Sequence, residues 1–436
     1  MKKLLGLILC ALLLCGCAKT PAVQVEGAPV YLSDYTPVDR SQEPEDPEAR
    51  LQWRRDVAEK EMRRMMSVLW TPAEDITYCY NVGSAGPEAD KVMHPKYVVT
   101  LYKGRIYQGI PYTHGCGSGD AMISYATGVD EKGVYTLTGL DWAHFSGEAK
   151  NTQQKRARLG NNCADSVFWA WASVANSITF KGTTTMTKDY GCIPLGGYKT
   201  MPGQYRAHTN TLCQANGEQT MFACYALMQK ADGLVYVNGY DTGHAIMCVS
   251  THVERKQDGT IDGEKSYAII LDQTASCEVG QKHYFNETLG QEVYLCEELD
   301  KKKSFNELYE TGYLPLTIRE FTDPAPLADI KVKDSLQNVT ADTLLTGEIT
   351  ASHRVAFVTC TITDNTGKTV QKAVCYGKEA EMYRFDLSRF TDSFEQAVMQ
   401  GKIDVSALDS GEYTACLTAH LSTGDDVTFR TLSFTK

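Results

Sequence analysis

At "DPAPLAD", Asp323 to Asp329, the sequence changes texture, and this break constrains the fold more than any other feature. Before it, helix-forming stretches alternate with short apolar runs. After it come only short alternating segments parted by turn residues. A single core rarely serves two such patterns across 436 residues, so the chain is expected to fold as two units. The predicted divisions are a leader over 1–17, a flexible tether over 18–46, an α+β domain with an N-terminal helix over 47–322, and an all-β unit over 326–436.

In the last unit, Val358, Cys360 and Ile362 alternate on one face of "VTCTIT", and Tyr413, Ala415, Leu417 and Ala419 do so in "YTACLTAHL". The stretch "LDSGEYTA" resembles the tyrosine-bearing corner of immunoglobulin-like sandwiches, which implies an immunoglobulin-like β-sandwich there.

The first twenty residues, "MKKLLGLILCALLLCGCAKT", hold two lysines, an apolar run and then small residues, the pattern of a signal peptide. The ending "LCGC" resembles the lipobox of bacterial lipoproteins, which implies lipidation of Cys17 and a cell-envelope location on the outer side of a membrane. The polar, proline-bearing "VDRSQEPEDPEAR" predicts a tether. "EARLQWRRDVAEKEMRRMMSVLW" then predicts a helix whose stripe of Trp53, Val57, Met62, Met65, Met66 and Leu69 packs on the body. A formal charge of −11 argues against a nucleic-acid partner. The fifteen cysteines include no C-x-x-C pair, so neither a metal cluster nor a cofactor is expected. Several, such as Cys248 and Cys360, lie in apolar runs where cysteine acts as a small hydrophobe.

The chemistry-bearing stretch is "GNNCADSVFWAWASV", Gly160 to Val174. Asn162 predicts a helix N-cap, with Asp165 three residues on, and Val167, Trp171 and Val174 supply the buried face. That places Cys163 in the first turn, where free N–H groups and the helix dipole favour a thiolate. A thiol nucleophile needs a base, and the base needs an orienting partner. His244 opens the predicted strand "GHAIMCV", joined through the hairpin sequence "NGYDTG" to the strand "GLVYV". The next strand, "YAIILDQT", ends on Asp272 and Gln273, of which one alone should face His244, because side chains alternate. His144 reads as a loop residue, and His252, among charged neighbours, is the weaker base.

The order of helix-borne cysteine, strand-borne histidine and polar residue on the next strand resembles the NlpC-type papain-like peptidases of bacterial cell walls. The matching segments are "NNCADSV", "TGHAIMCV" and "GIPYTHGCGSGD", and the likeness spans Arg105 to Gln273. It implies a papain-like α+β domain and a cysteine hydrolase acting on amide bonds, with peptidoglycan peptides or another extracellular peptide as substrate. It also implies that Tyr112 and Asn162 line the substrate site. "DGTIDGEKSYAIILDQT" resembles the cysteine- and histidine-dependent amidohydrolase branch, where an acidic residue closes the triad; amide third members elsewhere keep Gln273 beside Asp272. Asn162 and Ala164 stand where the family has aspartate and serine, and the 81-residue step from Cys163 to His244 is long for it. A transglutaminase-like acyl transferase shares the same order of residues. So does a non-catalytic binding lipoprotein on a degenerate scaffold.

Overall fold

The computed structural model describes residues 23–24, 39–79, 98–112, 118–123, 126–137, 160–175, 177–178, 186, 191–199, 208–238, 243–274, 280–336, 348–375, 384–386, 398–399, 402–403 and 405–436. They form a mixed α+β architecture in which strands predominate. Cys17, the lipidation candidate, and His144 lie outside the described residues. Among the described residues, no helix is long and apolar enough to cross a membrane.

Helix α1 (Pro47–Ser67) starts at Asp46, whose side chain accepts the Ala49 N–H at 2.8 Å. Its Val57, Met62, Met65 and Met66 are buried, as the stripe predicts, yet so are Arg54, Arg55, Glu61 and Arg64. The arginines are buried because each has partners. Arg54 donates to the carbonyls of Glu320, Asp323 and Ala325 and to Glu43, while Arg64 pairs with Glu61 and Asp120. Local structure occurs at the described residues of the span read as a tether. Asp39 caps a short 3-10 turn over Arg40–Gln42, Arg40 reaches the Ala328 carbonyl, and Val23–Gln24 pairs with Lys282 and His283.

Two large sheets and a small ribbon of Ile76–Cys79 with Val98–Leu101 build the first unit. A seven-stranded sheet runs in the order 23–24, 282–286, 291–295, 106–108, 69–72, 135–137, 126–129. A six-stranded antiparallel sheet carries the predicted site. Its strands are β1 (Cys192–Pro194), β2 (Gly233–Val237), β3 (Gly243–His252), β4 (Tyr267–Asp272), β5 (Glu298–Ser304) and β6 (Leu314–Ile318), in the order β5-β4-β3-β2-β6-β1. Between Leu295 and Glu298 the chain passes from one sheet to the other through only Cys296 and Glu297. Strands β2 and β3 are antiparallel neighbours, as the hairpin reading requires, though residues 239–242 of the turn lie outside the described residues.

Helix α2 (Cys163–Ala172) is buried along its whole length, packed against α1 and β3. Its Trp171 donates from Nε1 to the Ala231 carbonyl at 2.8 Å, and the ring lies so close to β2 that a Cβ at Gly233 would meet it at 2.7 Å.

The second unit has a four-stranded sheet, with β7 (Val355–Asp364) and β8 (Glu412–Leu421) at its centre, and a three-stranded sheet over 332–334, 348–351 and 384–386. The two share one core, in which Ile349 and Ala351 meet Val358, Cys360, Ile362, Ala415, Leu417 and Ala419. Tyr413 donates to the Asp409 carbonyl at 2.9 Å, closing a corner of the expected kind. These features are compatible with a sandwich.

This unit seats on α2. The Arg354 guanidinium lies 4.3 Å from the ring centre of Phe168 and 3.8 Å from that of Trp169, and Ser422 Oγ donates to the Ala172 carbonyl at 2.8 Å.

Candidate active site

Asn162 caps α2 as its sequence predicts. Its Oδ1 accepts the N–H groups of Ala164 and Asp165, both at 3.0 Å, and its Nδ2 donates to Asp165 Oδ2 at 2.5 Å. Asn162→Ala is therefore expected to cost about 1 kcal/mol, read as a lower urea midpoint at unchanged slope. With its side chain spent on the helix start, Asn162 acts here as a structural cap.

The cap fixes Cys163 at the first helical position, 4% exposed, facing the start of β3. The Cys163 sulfur and the His244 ring lie close enough to shift each other's charge. Tyr112 Oη donates to the same sulfur at 3.9 Å, and the Ala245 N–H lies close enough to favour a thiolate there. His244 Nε2 meets Asp272 Oδ1 at 2.6 Å, which leaves Nδ1 as the ring nitrogen for the thiol. The sheet explains the pairing. Met247 opposes Leu271, so continuing the register sets Asp272 opposite Ile246, one step from His244 on the same face.

The alternation also decides between the two candidate partners. Asp272 turns toward the imidazole. Gln273 is fully buried on the other face and is not brought to His244; its Nε2 donates to the Ile110 carbonyl at 2.9 Å and to Asn161 Oδ1 at 3.0 Å. The expectation of a catalytic place for Gln273 is corrected on that geometry. His252, half exposed, stacks on Tyr267 at 5.0 Å near Glu254 and takes no part.

The charges follow from burial and partners. Burial alone would raise the Cys163 thiol, but the facing imidazolium, with the hydrogen bonds from Ala245 and Tyr112, holds it below the ordinary thiol value. Burial pulls His244 down, while Cys163 and Asp272 together raise it well above the usual imidazole range. Burial raises Asp272, and His244, Lys301 and Lys303 outweigh it, so its carboxyl is held low. Lys301 Nζ stands 3.8 Å from Asp272 Oδ2. These directions favour a thiolate beside an imidazolium beside a carboxylate. Six other described thiols, Cys192, Cys213, Cys224, Cys248, Cys296 and Cys360, move the opposite way, each pushed up by burial.

Several neighbours were not legible in the sequence. Tyr236 stands opposite His244 in the sheet, ring centres 6.2 Å apart, and meets Tyr313 edge-on at 4.9 Å. Asn161 bridges to Tyr112 along the backbone and accepts from Ser166 Oγ at 3.0 Å. The paired asparagines of "GNNC" and the acid pair of "CEELD" are the only signals that could have drawn attention to Asn161 and Glu297.

A second histidine–carboxylate group lies in the other unit. His420 joins Asp426 at 2.6 Å through Nδ1 and Thr359 at 2.8 Å through Nε2. Thr359 is 2% exposed, so this is a cross-strand polar ladder rather than an open nucleophile. Among the described residues, no cluster of three or more metal-binding side chains occurs.

No protein-family model matches the chain, and a search of curated proteins finds no match. Among solved structures, the chain has a likeness to a tetra-tandem repeat in the extending region of a large adhesion protein. It is 15% identical, with a TM-score of 0.17, over 47% of this chain. The match spans 41% of that chain, and a TM-score this low carries no argument about fold or activity.

Proposed function

We propose that the protein is a cysteine hydrolase that cleaves amide bonds, on a papain-like NlpC-type domain. The observation that supports this reading is the contact of three groups distant in sequence: a helix-capped Cys163, His244 and Asp272, with the thiol held below its ordinary pKa. The Cys163 thiolate attacks the substrate carbonyl carbon, and the carbonyl π electrons move onto oxygen. The Cys163 N–H, at the start of α2 where the helix dipole favours negative charge, would stabilise that oxyanion. His244 gives its proton to the departing amine as the C–N bond breaks, leaving a thioester on Cys163. It then takes a proton from water, whose oxygen attacks the thioester and releases acid and thiolate. Asp272 holds the ring and stabilises the imidazolium.

The lipobox-like leader supports an extracytoplasmic, membrane-anchored setting through Cys17. There the amide-bearing polymers at hand include peptidoglycan peptides, which makes an endopeptidase or amidase role the best fit. The test is alkylation by iodoacetamide with peptide mapping, alongside assays on peptidoglycan fragments. Cys163 is expected to react first and fastest at neutral pH, and Cys163→Ala to abolish hydrolysis while leaving the melting temperature near that of wild type. Labelling no faster than Cys416, the partly exposed thiol, or activity that survives Cys163→Ala, overturns the reading.

A further inference from the structure

Glu297 is a second acid beside the site, and the chemistry above does not use it. It occupies the short crossing between the two sheets and is 6% exposed. Asp272 pairs with Glu298 across β4 and β5, so continuing that antiparallel register places Gln273 opposite Glu297. Cross-strand neighbours of this kind have Cβ atoms about 5 Å apart, within reach of each other's side chains. Both residues border the Gly109–Ile110 peptide. A Cβ at Gly109 would come within 3.1 Å of Glu297 Oε1, and Gln273 donates to the Ile110 carbonyl. The N–H of Ile110 is already given to the Met65 carbonyl at 3.1 Å. Glu297 Oε1 and Oε2 and Gln273 Oε1 are all buried oxygens with no hydrogen-bond donor.

Three oxygens and no hydrogen make an unfavourable junction, since each buried polar atom without a partner forfeits the hydrogen bonds it made to water. A single proton on the carboxyl joins the two side chains. We propose that Glu297 is a neutral carboxylic acid donating to Gln273 Oε1, and that this bond makes it a positioning residue for Asp272. Gln273 is the next residue after Asp272 and also holds Asn161, which accepts from Ser166 on α2 and bridges to Tyr112. One proton thereby ties together the elements carrying Asp272, Cys163 and Tyr112. The positioning role rests on the hydrolase reading; the protonation state does not.

The charges around Glu297 agree. Burial chiefly, with the like charge of Asp272 on β4, outweighs the lowering by the nearby Ile110 N–H and pushes its carboxyl well above the usual carboxylate range. The other titratable neighbours are the buried Cys296 thiol on its own segment and, beyond it, the buried Tyr107 hydroxyl, both also pushed up. A carboxyl whose folded pKa is raised contributes stability that is present below the unfolded value and lost as pH rises through the folded one.

The experiment compares wild type, Glu297→Gln and Glu297→Ala by difference infrared spectroscopy and by the rate of Cys163 alkylation against pH. A protonated-carboxyl absorption is expected in wild type at neutral pH, shifted in heavy water and missing in Glu297→Gln. The glutamine amide still donates but cannot ionise, so Glu297→Gln is expected to alkylate within about twofold of wild type at neutral pH and to keep that rate at the higher pH where ionisation of Glu297 slows the wild type. Glu297→Ala is expected to alkylate about tenfold more slowly. Absence of the absorption in wild type, or wild-type alkylation in Glu297→Ala, overturns the proposal. If wild-type Cys163 is not preferentially alkylated at all, the hydrolase reading and the positioning role fail together, and the absorption alone still decides whether Glu297 is neutral.

Discussion

Replacing His244 by alanine is expected to lower amide hydrolysis by on the order of 10⁴-fold, because in the proposed mechanism one side chain supplies both the counter-charge and the proton. Without the imidazolium, burial is the main influence on Cys163 and its thiol pKa climbs toward those of its buried counterparts. Alkylation of Cys163 near pH 6.5 should then fall by roughly 10- to 100-fold, since each pKa unit is tenfold in thiolate. The wild-type profile has signs that can be worked out in advance. Cys163, with its pKa lowered on folding, contributes stability above its unfolded value that is lost as pH falls through the folded one. His244, with its pKa raised to about 10, contributes stability that is whole below its unfolded value and lost as pH rises through about 10. Hydrolysis is expected to rise through the depressed thiol pKa, stay level across neutrality, and fall once the imidazolium is lost. A profile that climbs only near the ordinary thiol range of about 8.5 would contradict the ion pair.

The largest expected loss of stability lies behind the site. Arg55 donates to Asp232 Oδ1 at 2.9 Å and to the Lys230 carbonyl at 2.7 Å, with its guanidinium 4.6 Å from the Phe321 ring centre. Asp232 is fully buried, and burial raises its carboxyl even with Arg55 beside it. Arg55→Met keeps the hydrophobic stem and strands the acid, at a cost of about 3–5 kcal/mol by urea unfolding. Because a raised carboxyl loses stability as pH increases, the defect should shrink below about pH 4, where Asp232 is protonated in both states. The double variant Arg55→Met/Asp232→Asn should recover most of the loss. If the single variant costs less than 1 kcal/mol, the pair contributes little.

The parts of this fold that were legible in the sequence are those governed by local rules. Asn162, Cys163 and Asp165 form a helix start because three adjacent side chains suffice to cap one. Val358 with Cys360, and Ala415 with Leu417, alternate because a strand has period two. His244 and Asp272 were legible as strand ends, and the sheet register supplied the choice of Asp272 over Gln273. What could not be read depends on distant partners. Arg54 and Arg64 look like the wet face of a helix until the carbonyls of 320–325 and Asp120 are in place. Glu297 looks like half of a solvated acid pair until two sheets close around it.

The seating of the second unit on α2 bears on what a substrate must look like. Arg354 and Ser422 grip the helix whose first residue is the proposed nucleophile. Whatever the outer unit holds is therefore presented at a set distance and angle from the sulfur, as by a ruler rather than a leash. Long polymers with repeating attachment points would suit such a gauge, and a flexible hinge would erase it.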